Sequence, residues 1–209
     1  MNARILFTKY FLPLSLLFLI ALSGCQGMPA FAFSPEAAAQ QAVLNHPMPE
    51  FTVDPNSVQV LQMSDLGGGD RVVLVAFQGN RQNFGRESCL FSYNVYRATT
   101  GGWHSGGGGG GCGPQRQDPA LEPISISSGK SSGGPTGIGY SEVSGEMFDP
   151  NIAMVQVTWS DGAQQQASVI NRSYLAVRAG EFDYSKIEAL DAEQKVIFSS
   201  ELGIAPGKQ

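Results

Sequence analysis

Alternation of apolar and polar residues around a tight turn constrains the fold of this chain most strongly. Residues 152–159 and 164–170 both alternate in this way, and Ser160-Asp161-Gly162-Ala163 separates them. Side chains of a strand point to opposite faces in turn, so each segment suits a strand with one buried face. Because Asp-Gly tolerates the positive φ of a tight hairpin turn, the two segments predict a β-hairpin.

The same pattern recurs along most of the chain. Further strands are predicted at 58–63, 71–78, 88–98, 124–127, 138–143, 173–177, 186–190 and 195–199. Turn signals at 65–70 and 191–194 make two more hairpins from these segments. Many short strands at this spacing predict a mainly β protein that folds as an antiparallel β-sandwich.

One short helix is predicted before the strands. Ser34 can cap its first turn, Pro35 suits the first helical position, and the acid Glu36 lies near the positive end of the helix dipole. The helix continues through 37–44, and Asn45-His46-Pro47 ends it.

Three polar or glycine-rich segments are predicted to be loops. They are 79–86, the six glycines of 106–111, and 128–137. Glycine loses more backbone entropy on ordering than other residues, so we expect 106–111 to be a mobile surface loop; the alternative is a flexible tip that closes over a ligand. The segment 128–137 would divide two small lobes, 50–127 and 138–200, if the body is not one unit.

The N-terminus has the three parts of a secretion signal. Arg4 and Lys9 form a basic head, residues 10–22 are apolar, and Ser23-Gly24 supplies small residues at the exit. The apolar run is shorter than the roughly 20 residues that a membrane-spanning helix needs. We therefore expect residues 1–24 to be a cleaved signal peptide.

The last residues of this segment, Leu22-Ser23-Gly24-Cys25, resemble the lipobox of bacterial lipoproteins. The resemblance implies that Cys25 receives a diacylglyceryl group and that cleavage occurs just before it. Residues 25–34 would then be a lipidated tether, and 35–209 a β-rich soluble domain held at a membrane by its acyl chains. The implied location is the bacterial cell envelope, on the periplasmic or extracellular side.

The other two cysteines suit a disulfide. An exported compartment allows Cys89 and Cys112 to pair, and closing the intervening loop is worth about 3.4 kcal/mol in the chain-entropy estimate. The alternative, a reactive thiol, lacks a Cys-x-x-Cys spacing.

Charge and motifs argue against several functions. The formal net charge is −5, and the predicted signal segment contributes only basic residues, so the body offers no phosphate-binding stripe and we expect no nucleic-acid partner. His46 and His104 lack the spacing of a zinc site, so we expect no metal and no cofactor. Residues 139–143 miss the nucleophile-elbow pattern at the last position, and 127–130 match S-x-x-K without its companion motifs. Four aspartates at predicted turns are expected to cap them rather than bind calcium: Asp149, Asp161, Asp183 and Asp191.

Residues 138–199 resemble immunoglobulin-like β-sandwich modules of exported bacterial proteins. The resemblance lies in Val155-x-Val157, Asp161-Gly162, Tyr174-Leu175 and Ala189-Leu190-Asp191. These are features of any sandwich, so they imply architecture and no activity.

The expected function is therefore non-enzymatic. We expect an envelope lipoprotein that contacts the membrane through its anchor and binds a protein partner or a cell-wall component, with Trp103 and His104 as candidate binding residues. One alternative is a small extracytoplasmic hydrolase that uses two carboxylates from distant strands. The other is a carrier or chaperone for a small ligand, with an apolar pocket lined by Phe and Trp.

Overall fold

The computed structural model describes residues 32–45, 48–99, 101–114, 122–132 and 136–202, apart from the side chain of Ser168. The predicted signal peptide, Cys25, most of the tether and His46 lie outside these residues, as does the segment 115–121. Residues from Ala32 onward belong to one compact unit.

The helix α1, Pro35–Asn45, confirms the predicted N-terminal helix. The Ala37 N–H donates to Ser34 Oγ at 3.2 Å, so Ser34 is the predicted cap. Ala38, Ala39 and Val43 form its buried side, and small alanines let the helix lie close to the sheet beneath it. No helix among the described residues has the length and apolar character to cross a membrane.

The first sheet has five antiparallel strands. They are β1 (Phe51–Val53), β2 (Gln59–Gly67), β3 (Asp70–Arg81), β4 (Gly85–Arg97) and β5 (Trp103–Gly113). Strands β1 and β2 pair with opposite halves of one edge of β3, while β4 lies between β3 and β5. A short 3₁₀ helix, Pro55–Ser57, connects β1 to β2.

The second sheet has seven antiparallel strands in the order β12-β11-β8-β9-β10-β7-β6. They are β6 (Ser127–Ser131), β7 (Tyr140–Glu146), β8 (Met154–Trp159), β9 (Gln164–Ile170), β10 (Ser173–Ala179), β11 (Tyr184–Leu190) and β12 (Val196–Glu201). The sheet curls around its own core. The described residues are thus mainly β with one α-helix, and the expected fold class is confirmed.

Three hydrophobic clusters hold these layers together. Val73, Val75 and Phe77 of β3 pack against α1 on one face of the first sheet. Val72 and Leu74, on the opposite face of β3, meet residues of the second sheet. The third cluster fills the concave side of the second sheet and is formed by Trp159, Tyr174, Ile187 and their neighbours.

The glycine segment 106–111 is part of strand β5, so the prediction of a mobile loop is wrong. Every glycine except Gly106 is directly opposite a residue of β4. Tyr93 and Phe91 of β4 lean over two of them: a Cβ on Gly108 would lie 2.5 Å from Tyr93 Cδ1, and one on Gly110 would overlap the Leu90 carbonyl oxygen. The aromatic rings fill space that side chains on β5 would need, so only glycine fits these positions.

The ends of β5 are also fixed. The predicted disulfide joins Cys89 of β4 to Cys112, with their Cα atoms 4.0 Å apart. At the other end, Trp103 exchanges two backbone hydrogen bonds with Ala32, at 2.8 and 3.0 Å. These links offset the backbone entropy that the glycines lose on ordering.

Two further loop predictions are corrected. The predicted loop 79–86 is only a short turn, since β3 runs to Arg81 and β4 begins at Gly85; Asn83, with φ at 72°, makes the turn between them. The predicted loop 128–137 contains strand β6, Ser127–Ser131, which pairs with β7. The strand expected at 124–127 is an isolated bridge between Ile124 and Met147 followed by the start of β6.

Alanine substitutions at neighbouring glycines should have opposite effects on stability. Gly110→Ala places a methyl group against Leu90 and Phe91, and we expect it to lower the free energy of unfolding by about 1–3 kcal/mol. Gly111→Ala meets no atom within 4 Å, and we expect it to raise that free energy by about 0.5 kcal/mol, because alanine restricts the unfolded chain. Urea unfolding of both variants checks this. Equal effects would contradict the face assignment.

Candidate functional site

A cleft of about 540 Å³ lies between the two sheets, beside the C-terminal half of β5. One wall is formed by Leu90 of β4 and by β5 from Gly110 onward. The opposite wall is formed by Ile126, Met147 and Phe148, which lie around the start of β6 and the end of β7. Both walls of the cleft therefore carry apolar side chains, with polar groups between them.

Polar and charged side chains also line the cleft. Gln78 and Ser88 lie on the first sheet, and Glu146 and Arg172 on the second. Arg172 lies in the β9–β10 turn, where Asn171 and Arg172 both have positive φ. Its guanidinium donates from Nε to the Met147 carbonyl at 3.2 Å, so it anchors the chain at the end of β7 beside the cleft.

Glycines of β5 keep the cleft open. Gly109, Gly111 and Gly113 alternate with Gly108 and Gly110 and point to the opposite face of the strand from α1. A Cβ on any of these three would meet no other atom within 4 Å. A strand with ordinary side chains would project into the space between the sheets, whereas this one leaves it free.

The predicted binding residues Trp103 and His104 lie at the other end of β5, away from the cleft lining. Trp103 packs against the α1 side of the first sheet, and the Arg71 guanidinium carbon lies 5.3 Å from its ring centroid. The His104 ring stacks beside Tyr96, with centroids 5.8 Å apart. Both side chains are half-buried, and the structure does not bring them together with the polar groups of the cleft.

A smaller cleft of about 270 Å³ brings two carboxylates to one place. Asp183 forms an ion pair with Lys130, in which Oδ1 lies 2.7 Å from Nζ. Glu142 is buried, its carboxyl is hydrogen-bonded to Ser92 of β4, and desolvation raises its pKa. Trp159, Phe182 and Tyr184 also line this cleft, so it is the arrangement closest to the hydrolase alternative.

The aspartates at predicted turns act mainly as caps. Asp149, Asp161 and Asp191 each accept a backbone N–H two residues ahead, at 2.8, 3.1 and 3.0 Å. Asp161 also forms a bidentate pair with Arg178, which lowers the pKa of Asp161 to about 2. Within the described ranges, no group of three His, Cys, Asp or Glu residues is placed to hold a metal ion.

The cleft was not predicted from the sequence because its walls come from distant segments. Leu90 and Gly111 are adjacent through strand pairing, but Met147 and Arg172 reach the cleft only through the second sheet. The available signal was the strict alternation of 88–98, which places Leu90 on the face opposite to Cys89. A strand of glycines paired with residues 88–98 would leave the face beside Leu90 without side chains to fill it.

No family model matches this chain, and no curated protein or solved structure shows significant similarity to it.

Replacing Glu142 by glutamine should change the pH dependence of stability. Because the pKa of Glu142 is raised in the folded protein, the unfolded chain loses this proton first, and the wild type loses stability as the pH rises above about 4.5. Glu142→Gln cannot titrate, so its stability relative to wild type should increase from pH 4 to pH 8, by about 1.4 kcal/mol for each unit of the raised pKa.

Urea unfolding of both proteins at pH 4, 6 and 8 measures this difference. Glu193→Gln is the matched control, since Glu193 is exposed in a turn. If the wild type gains stability over Glu142→Gln as the pH rises, the burial argument is wrong.

Proposed function

We propose that this chain is an exported lipoprotein of the bacterial envelope, anchored through Cys25, that binds a protein partner or a cell-wall component in the cleft between its two sheets. The observation that carries the binding role is the cleft of about 540 Å³, with apolar side chains and charged groups on its walls and a glycine rim. The lipobox pattern Leu22-Ser23-Gly24-Cys25 supports the anchor.

The composition of the cleft supports binding. Ligand sites are typically concave and combine apolar surface with polar groups that set orientation. Leu90, Ile126, Met147 and Phe148 supply apolar surface, and Glu146 and Arg172 supply charges of both signs at its edge. Covering these apolar side chains with a ligand contributes roughly 25 cal/mol of binding free energy per Å² of apolar surface removed from water.

The same cleft is less suited to hydrolysis. Glycoside cleavage needs two carboxyl groups facing one bond, and Glu146 is the single acid among the described residues that line the larger cleft. In the smaller cleft, Asp183 is already paired with Lys130, and the Glu142 carboxylate accepts a hydrogen bond from Ser92 of the first sheet. A small-ligand carrier has less support, because the larger cleft opens along a strand edge instead of enclosing a cavity.

Loss of the lipidated cysteine should release the protein from membranes. We expect the wild type to enter the detergent phase of a Triton X-114 extraction, because its acyl chains add about 0.8 kcal/mol of membrane affinity per buried CH₂. Cys25→Ala should remain uncleaved and lack the diacylglyceryl mass. Cys112→Ala is the matched control, and it should still carry the lipid. A Cys25→Ala protein with unchanged mature mass would contradict the anchor.

Partner binding in the cleft can be tested in cells with a photo-crosslinking amino acid. At position 111 the side chain has open space on the cleft face, whereas Ser199 is exposed on β12 away from the cleft. We expect a discrete adduct from position 111 and none from position 199. The absence of an adduct at 111, or equal adducts at both positions, would contradict a binding role for the cleft.

A further inference from the structure

We propose that the edge of β5 that faces away from β4 accepts an extended segment of another polypeptide as an added β-strand, with alternate side chains of that segment entering the cleft. The inference rests on the proposed function, since it names the class of partner for the same cleft. It follows from which backbone groups of β5 point outward, from their exposure, and from the space beside the glycines.

Alternation along β5 shows which backbone groups face away from β4. The Cα atoms of Cys89 and Cys112 are 4.0 Å apart, which is the close spacing of a pair that exchanges no backbone hydrogen bonds. The N–H and C=O of Cys112 therefore point away from β4, as do those of Gly110 and Gly108. Trp103 agrees with this assignment, because its N–H and C=O bond outward to Ala32 and the bulge between Ser105 and Gly107 shifts the alternation by one residue.

This edge is exposed along the glycines. Residues 106–111 are all exposed, and the described part of the chain places no strand beside Gly108 or Gly110 on the side away from β4. Proteins usually protect an edge with charged side chains, proline or a bulge. The β4–β5 pairing has a bulge near Gly107, but from Gly108 to Gly111 the edge carries no such feature. An extended peptide could therefore satisfy these backbone groups.

The cleft determines what the added strand should carry. Side chains of neighbouring strands on one face lie about 5 Å apart, so an added strand would place alternate side chains beside Gly109 and Gly111. These glycines leave open space, with the apolar side chain of Leu90 beside it and those of Met147 and Phe148 on the opposite wall. The best partner is therefore a segment with large apolar residues at every second position.

A second copy of this chain fits the edge less well. If its β5 were the added strand, glycines would face glycines and no side chain would enter the cleft. The formal net charge of the chain is −5, and removal of residues 1–24, whose only charged side chains are Arg4 and Lys9, makes each mature copy more acidic, which opposes self-association. The occupant we infer is thus a segment of a different polypeptide.

A library of random twelve-residue peptides, displayed on phage and selected on the full-length protein in detergent, supplies the probe. The strongest binder is synthesised in three forms: unmodified, and N-methylated on either of its two alternating sets of residues. We expect saturable binding and at least tenfold slower amide exchange at Gly108 and Gly110. N-methylation of one set should weaken binding at least tenfold and that of the other set less than twofold, because only one set faces β5.

Gly111→Val tests the cleft face. We expect it to weaken binding of the peptide at least tenfold without lowering the melting temperature, since valine suits a strand and meets no nearby atom. Ser199→Val, on exposed β12, is the matched control and should bind normally.

Three outcomes would overturn the inference: no saturable peptide binder, equal tolerance of both N-methylated sets, or slowed exchange at Gly108 and Gly110 that arises from a dimer of the protein alone. If one of these outcomes occurs but position 111 still gives an adduct in cells, the strand-addition inference is wrong and the proposed function is retained. Loss of that adduct would overturn both.

Discussion

Burial of β3 on both faces is the constraint on which the rest of the structure depends. Val73, Val75 and Phe77 pack under α1, while Val72 and Leu74 pack against the second sheet. A strand buried on two sides needs a nearly continuous apolar run, and residues 71–78 provide one. The three layers meet at this strand, so the positions of α1 and of the second sheet both follow from it.

The contact between the sheets is close at β3 and open at β5. Near β3, Val72 and Leu74 meet Tyr140, Leu175 and Val177 and exclude water. At β5 the first sheet carries glycines, and the second sheet has no side chains to pack against. The cleft is the space left where the glycines of β5 provide no side chains to fill the gap between the sheets.

Local pattern predicted much of the fold and little of the site. The β9 bounds, the caps of α1 and the Cys89–Cys112 pair follow from alternation, capping chemistry and cysteine count. The glycine strand could not be predicted in this way, because its order comes from Phe91 and Tyr93 on the neighbouring strand and not from its own residues. The cleft combines segments more than 80 residues apart in the chain, such as Leu90 and Arg172, and no local pattern reports such a meeting.

The disulfide has a consequence for how β5 aligns with β4. Side chains normally specify the register of a strand, because a shift by one residue turns its apolar face outward. Six identical glycines carry no such information, so sliding along β4 would exchange one glycine for the next at little cost. A covalent bond from Cys89 to Cys112 removes that freedom. The bond therefore supplies the alignment that a featureless stretch of chain cannot encode, and it sets which glycines face α1 and which face the cleft.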